Sequence, residues 1–191
     1  MKCSVFIATS VDGFIATEEG GVDWLDTAGN PDADMGDHAD GGFNAFMDSI
    51  DCIIMGRGTL EVLSGFNLTP EEWPYRDVRI IGLSSTLKAP PDNLSNKVEM
   101  YSGPLRELVE KLEGEGHQHA YVDGGKTIQS FLDLQMIDEM TLTLAPVALG
   151  GGIPLFGRGN DDIELETLRV EAFPNGFVQL QYKVDYRRAQ E

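Results

Sequence analysis

The sequence predicts an α/β protein: a mixed, mostly parallel central sheet flanked by helices, finished by an antiparallel C-terminal hairpin. Three observations carry this reading. Short apolar runs such as Asp51–Met55 and Val78–Leu83 have the length and β-branched content of strands buried on both faces. Amphipathic helical stretches alternate with such runs as far as Leu134, which is the signature of parallel strands joined by crossovers. Beyond Met140 the pattern becomes a strict two-residue alternation, clearest in Phe177–Val184, which suits antiparallel strands with one covered face.

Lys2–Thr9 reads as a buried first strand, and Val11–Ala16 as a turn into a second short extended piece. Thr17–Asp40 is a Gly- and Asp-rich loop with Trp24 and Leu25 as its apolar anchors. A loop of that length in a compact domain is usually functional. Phe43, Phe46, Met47 and Ile50 fall at helical spacing, and Asp51–Met55 follows as a strand ending at Gly56. The next helix is expected to start near Thr59, with that hydroxyl as its cap, and to bury Leu60 and Leu63. Phe66–Arg76 is loop, Val78–Leu83 strand, Pro90–Asn93 turn and Val98–Tyr101 strand. Pro104 opens a helix carrying Leu105, Leu108, Val109 and Leu112 on one face, ending near Gly114. Ala120–Asp123 is a strand running into Gly124-Gly125, and Thr127–Leu134 the helix after it. Met140–Val147, Leu165–Ala172 and Phe177–Val184 complete the set. No repeat or linker interrupts the 191 residues, so one domain spanning 1–191 is expected.

Charge narrows the partners. The formal net charge is -18, from 32 acidic and 14 basic side chains. Such a surface repels phosphate backbones and anionic lipid, so neither nucleic acid nor membrane is an expected partner. No apolar run has the length of a membrane span or a signal-peptide core, which makes the cytoplasm the expected compartment. Cys3 and Cys52 each lie among apolar residues and lack any ligand spacing, so no metal site is expected.

Against this acidic background, three turns after apolar strands stand out: Gly56-Arg57-Gly58-Thr59, Ser84-Ser85-Thr86 and Gly124-Gly125-Lys126-Thr127. In a parallel sheet they converge on the carboxyl edge, where glycine admits a close phosphate and a helix start offers free N–H groups. Arg57 and Lys126 supply the positive charge that the rest of the surface lacks. Neither a dinucleotide fingerprint nor a P-loop is present, so these residues by themselves indicate a phosphate-bearing ligand at a sheet edge.

Longer motifs add a resemblance. Ala8-Thr9-Ser10-Val11-Asp12-Gly13-Phe14-Ile15-Ala16 resembles the opening of the dihydrofolate-reductase-like reductases, and Ile54-Met55-Gly56-Arg57-Gly58-Thr59 resembles their phosphate-binding element. Val122–Gly125, Ile137–Glu139 and Ala145–Phe156 are together similar to the C-terminal reductase domain of the bifunctional riboflavin-biosynthesis deaminase/reductase. The resemblance implies a three-layer dihydrofolate-reductase-like fold and an NADPH-dependent reductase of a pyrimidine- or pterin-like heterocycle, related to 5-amino-6-(5-phosphoribosylamino)uracil reductase. It implies cofactor contacts from Ala8, Gly56, Arg57, Thr59, Ser84, Ser85, Gly124, Gly125, Lys126 and Thr127, with Ser84 and Ser85 at the 2′-phosphate and Ala8 against the nicotinamide. Asp12 at the substrate mouth and Asp40 ahead of the Phe43 helix are the implied catalytic carboxylates, although Asp40 equally suits a helix cap. A small heterocyclic substrate and a homodimer are the implied partners. The zinc-deaminase signature of the bifunctional enzyme is missing from the sequence, so the stand-alone reductase half is implied. A dihydrofolate reductase, another small-heterocycle reductase and an NADPH-binding protein without turnover remain open as alternatives.

Overall fold

A computed structural model describes residues 1–157 and 163–186. Among the described residues ten strands run in chain order: β1 (Lys2–Ser10), β2 (Phe14–Ala16), β3 (Cys52–Gly56), β4 (Arg79–Leu83), β5 (Val98–Tyr101), β6 (His119–Asp123), β7 (Glu139–Ala145), β8 (Ile153–Pro154), β9 (Ile163–Ala172) and β10 (Val178–Tyr186). Among them lie helices α1 (Trp24–Thr27), α2 (Phe43–Met47), α3 (Arg57–Gly65), α4 (Leu105–Gly114) and α5 (Gly125–Asp133). Eight strands form one sheet in the order β5-β4-β3-β6-β1-β7-β10-β9, and β2 pairs with β8 in a separate two-stranded sheet. Strands β5 through β7 of that order are parallel; β10 is antiparallel to β7, and β9 to β10. The mixed sheet with an antiparallel finish is therefore the architecture expected from the alternation.

The central strands read as unbroken apolar runs because both of their faces are covered. Cys52 and Ile54 of β3 point to a core shared with Leu108 and Leu112 of α4 and Ile128, Phe131 and Leu132 of α5. Ile53 and Met55 point the other way, to a core with Met47 of α2 and Leu60 and Leu63 of α3. Each such side chain, fully buried, is worth about 1.5–3 kcal/mol. The helices thus change faces between β3–α3 and β6–α5, and adjacent strands whose connections leave in opposite directions open a crevice at their carboxyl ends.

Cys3 and Cys52 both stand level with Ala120, one on each side of β6. Two strand spacings separate their backbones by about 10 Å, too far for a disulfide. Burial pushes both thiols up to about 12.

Several details depart from the sequence expectations. Helix α3 begins at Arg57 with Gly56 as its N-cap residue, and no side chain caps it, so Thr59 lies inside the first turn rather than ahead of it. α5 likewise begins at Gly125 instead of Thr127. The 17–40 loop contains the single-turn α1 and a 3-10 turn at Gly36–His38. Strand β8 escaped notice because two residues carry no pattern of their own. Among the described residues no helix is long and apolar enough to cross a membrane.

The first turns of α3 and α5 interlock. A Cβ on Gly56 would stand 2.6 Å from the Thr127 hydroxyl, and a Cβ on Gly124 would overlap the Thr59 hydroxyl. Gly124 also holds φ +93, a backbone conformation that side chains disfavour. Gly124→Ala should therefore destabilise the protein by about 2–5 kcal/mol in urea unfolding, from strained backbone plus overpacking. Adding Thr59→Ala removes the overlap alone, so the double variant should recover part of the loss; no recovery would show that the two turns do not press on each other.

Candidate functional site

Parallel pairing brings the ends of β4, β3, β6, β1 and β7 to one edge. There Gly56 pairs in register with Leu83 and Met55 with Asp123. The three turns singled out in the sequence meet at this edge. Arg57 and Lys126 are the first and second residues of α3 and α5, both with exposed side chains. Both helices aim their unpaired N–H groups and the positive ends of their dipoles at the same edge. Arg57 makes only a loose contact, 3.7 Å, with Glu61 on its own helix. One strand further out, Ser84 Oγ accepts the N–H groups of Thr86 (3.2 Å) and Leu87 (2.8 Å), which folds the turn and leaves Ser85 exposed. The Thr59 and Thr127 hydroxyls lie in the interlock, against Gly124 and Gly56, at the starts of the two helices.

Next to this cradle the sheet is split. β1 and β6 pair only from Lys2↔His119 to Ser4↔Tyr121, whereas β1 stays paired with β7 as far as Ser10. Beyond Tyr121 the two strands part, and the Phe6 carbonyl accepts the Tyr121 hydroxyl at 2.9 Å in place of a ladder partner. The gap has Phe6 and Ala8 on one wall and Asp123-Gly124 on the other. Its floor is aromatic: Phe6 lies 5.5 Å from Phe43 and 5.0 Å from Phe46 between ring centroids, and Phe43 is 6.5 Å from Tyr75.

Asp123 is a candidate site residue that the sequence reading did not single out. It lies deep among protein atoms, yet part of its surface remains accessible. Burial raises its pKa to about 6, against the opposing pull of the Gly124 N–H, at 2.8 Å, and of the Tyr121 hydroxyl. The same carboxylate and its own burial push Tyr75 upward. A carboxyl that titrates near neutrality in a cleft is equipped to move a proton. The available sequence signal was an acidic residue ending the apolar strand Ala120–Val122 just before a Gly-Gly turn.

The two carboxylates expected to be catalytic are held differently. Asp12 is exposed, and its oxygens accept the Ser10 hydroxyl (2.6 Å) and the N–H groups of Leu149 (3.1 Å) and Gly150 (2.7 Å). These bonds, the Ser10 hydroxyl foremost, lower its pKa to about 2. It therefore has no proton to give at neutral pH and clamps the 149–150 turn to the end of β1. Asp40 accepts the N–H groups of Gly42 (3.0 Å) and Asn44 (2.9 Å), which lower its pKa. It stands two residues ahead of Gly42, the N-cap of α2, and holds the chain entering that helix.

The 17–40 segment lies over the same edge. Trp24, Leu25, Ala28 and Met35 pack with Ala145, Val147, Phe173 and Phe177, and Asn30 N–H donates to the Asn175 carbonyl at 2.9 Å. The Trp24 indole N–H is buried without an acceptor, a donor that a ligand or a water would satisfy. Between Thr17–Glu19 and Leu149–Gly151 lies an open hollow of about 360 Å³. At the opposite edge of the sheet Asp51, Cys52 and His117 approach one another within 4.8 Å. There Asp51 accepts the Gln118 and His119 N–H groups, and the Arg79 guanidinium stands 3.3 Å from His117. A cation already fills that neighbourhood.

A split parallel sheet with glycine turns on one side of the gap and a long loop over the other is the dihydrofolate-reductase-like fold. Within it, the RibD C-terminal domain model matches residues 2–179, and the chain belongs to that family of reductase domains. The chain is similar to two uncharacterised proteins of Bacillus subtilis (strain 168). YwjB is 31% identical over 183 residues, 95% of this chain and 97% of YwjB. YyaP is 30% identical over 182 residues, 92% of this chain and 91% of YyaP. A crystal structure from Shewanella sp. PV-4, provisionally assigned to riboflavin biosynthesis, superposes with TM-score 0.86 at 37% identity, covering 97% of this chain and 99% of that one. The Thermotoga maritima diaminohydroxyphosphoribosylaminopyrimidine deaminase/5-amino-6-(5-phosphoribosylamino)uracil reductase gives TM-score 0.64 at 15% identity, with 95% of this chain on 56% of that one. At that identity the likeness is one of fold.

The Asp12 clamp makes a checkable claim. Asp12→Asn should speed amide hydrogen exchange at Leu149 and Gly150 while leaving the rest of β1 protected. Because folding lowers the Asp12 pKa, the clamp holds throughout the neutral range and is lost only as pH falls from about 4 toward 2. Unchanged exchange at both amides in the variant would remove the clamp.

Proposed function

We propose that the protein is an NADPH-dependent reductase of a small flat heterocycle of pyrimidine or pterin type, related in chemistry to 5-amino-6-(5-phosphoribosylamino)uracil reductase. The observation that carries this is the juxtaposition of two interlocked helix starts bearing Arg57 and Lys126 with a gap in the sheet walled by Ala8 and Asp123. Gly56, Gly124 and Gly125 let phosphates approach the backbone, and Arg57 and Lys126 supply the counter-charge. Ser85 and the remaining proton of Ser84 are placed to meet a 2′-phosphate one strand away. Thr59 and Thr127, packed between the two turns, complete the same set of phosphate contacts. Ala8 presents the small side chain that a flat ring needs beside β1.

NADPH, when bound, supplies a hydride to the carbon of a C=N or C=O bond. The protein's own tasks are to orient the acceptor, exclude water and deliver one proton to the heteroatom of that bond. Asp123 is the group for the last task, with solvent restoring its proton afterwards. Asp12 acts on the reaction by holding the turn that borders the mouth, and Asp40 by fixing α2 against it.

The homodimer belongs to the same proposal. β9 is the open edge of the main sheet and exposes Leu168 (49%) and Val170 (60%). Antiparallel pairing of two β9 strands about a two-fold axis would set Glu166 opposite Arg169 and Leu165 opposite Val170, a self-complementary register.

Five outcomes are expected. NADPH should enhance nicotinamide fluorescence with saturable, tight binding and NADH should bind far more weakly; no binding of either nucleotide would end the reductase reading. Arg57→Ala should weaken NADPH binding by about 1–3 kcal/mol, the scale of a hydrogen bond to a charged group. Asp123→Asn should leave NADPH affinity intact and lower turnover by about 10²–10⁴. Burial raises the folded-state pKa, so Asp123 holds its proton below about 6 and loses it above. The wild-type rate should therefore fall about tenfold per pH unit above 6, and the Asn variant should lack that limb. A pH-independent wild-type rate between 6 and 8 would take the proton step away from Asp123. For the dimer, Val170→Glu should lower the sedimentation coefficient to that of a monomer, and an unchanged value would place the contact elsewhere.

A further inference from the structure

Charge is divided across the cleft. On the cofactor side stand Arg57 and Lys126. On the other side, no Lys or Arg occurs between Cys3 and Gly56, while Asp12 to Asp40 contribute nine carboxylates. Among the described residues none of the nine pairs with a Lys or Arg. The fold places them around the mouth. Asp12 is pinned to the 149–150 turn, and Glu18 and Glu19 line the hollow beside it. Met35, between Asp34 and Asp37, packs on the Ala145 cluster at the end of β7. Asp40 precedes Gly41, whose carbonyl accepts from Gln179 (2.8 Å); that amide also reaches Thr143, the β7 partner of Ala8.

Among the described residues the inner wall adds no cation. Phe6, which stands across the gap from Asp123, is an aromatic hydrocarbon packed edge-on against Phe43 and tilted against Phe46. A phosphate ester entering here would pass several carboxylates and end beside Phe6 and Asp123; among the described residues on this side the guanidinium of Arg76 is already held by Asp48 and the Asn44 carbonyl. Phosphate recognition depends on charge-assisted donors, and like charges facing a low-dielectric wall repel at their strongest. The opposite demand, a flat ring with N–H donors, is met: aromatic faces below and a carboxyl with accessible surface at the side.

Resting on the reductase reading above, we infer that the second substrate carries no phosphate and is neutral or cationic: a flat nitrogen heterocycle whose ring lies over Phe6 and Phe43 and whose N–H groups face Asp123. The cofactor is then the only phosphate-bearing ligand of the cleft, and the relation to the phosphoribosyl-aminouracil reductases is one of chemistry rather than of substrate.

The test uses the full chain saturated with NADP⁺ and a matched pair of probes, 5-amino-6-(5-phosphoribosylamino)uracil and its dephosphorylated counterpart, in equilibrium binding at low salt. The dephosphorylated probe should bind at least tenfold more tightly, and Asp32→Asn/Asp34→Asn/Asp37→Asn should narrow that ratio. Equal or tighter binding of the phosphorylated probe overturns the inference. A second readout needs neither probe. In Trp73→Phe, Trp24 is the sole tryptophan, and caesium should quench it several-fold better than iodide. Equal quenching, or stronger quenching by iodide, overturns the inference even where neither probe binds. Failure of NADP⁺ to bind counts instead against the reductase reading, and the quenching ratio still reports the sign of the charge at the mouth.

Discussion

The structure turns on the contact between two helix starts. Gly56 leaves room for the Thr127 hydroxyl and Gly124 leaves room for that of Thr59, so α3 and α5 begin side by side although they cover opposite faces of the sheet. This reciprocal fit fixes where two helix dipoles point. It also places Arg57 and Lys126, the neighbours of those glycines, on one patch of an otherwise anionic surface. Because Gly124 directly follows β6, the same contact directs the end of that strand toward β3 and away from β1. The gap beside β1 is thus a by-product of packing two turns whose glycines leave room for each other's threonines.

The other half of the cleft is built by a different principle. Little regular structure supports residues 17–40; they are held by a small apolar cluster on Ala145, Phe173 and Phe177 and by local bonds from Asp and Asn side chains. Repulsion among the carboxylates opposes closure of this segment onto itself, and the apolar anchors keep it at the edge of the sheet. A rigid cationic cradle faces a more loosely built anionic rim, and both bear on one gap.

Much of this was legible in the sequence because buried parallel strands leave unbroken apolar runs and the crossover helices leave a clear face. The convergence of the Gly56, Ser84 and Gly124 turns followed from the parallel order alone. What escaped depends on tertiary contact. β8 exists only through its pairing with β2. The start of α3 at Arg57 is set by packing against α5 and not by a capping hydroxyl. Asp12 and Asp40 invited a chemical reading from the resemblance, yet each has N–H groups within reach that a carboxylate satisfies first, at Asp40 from its own neighbours and at Asp12 from the distant 149–150 turn. Asp123 read only as the last residue of a strand because the property that distinguishes it, burial at a split in the sheet, is not written in its neighbours.

The two cysteines carry a consequence of another kind. Each thiol sits in the main core, with its ionisation suppressed and its partner out of bonding reach. Alkylating reagents and cellular oxidants act on the thiolate, so the native chain presents them with almost nothing to attack. Reaction at either site has to await an opening of the central strands, and the speed of labelling then becomes a clock for the rarest excursions of the folded state.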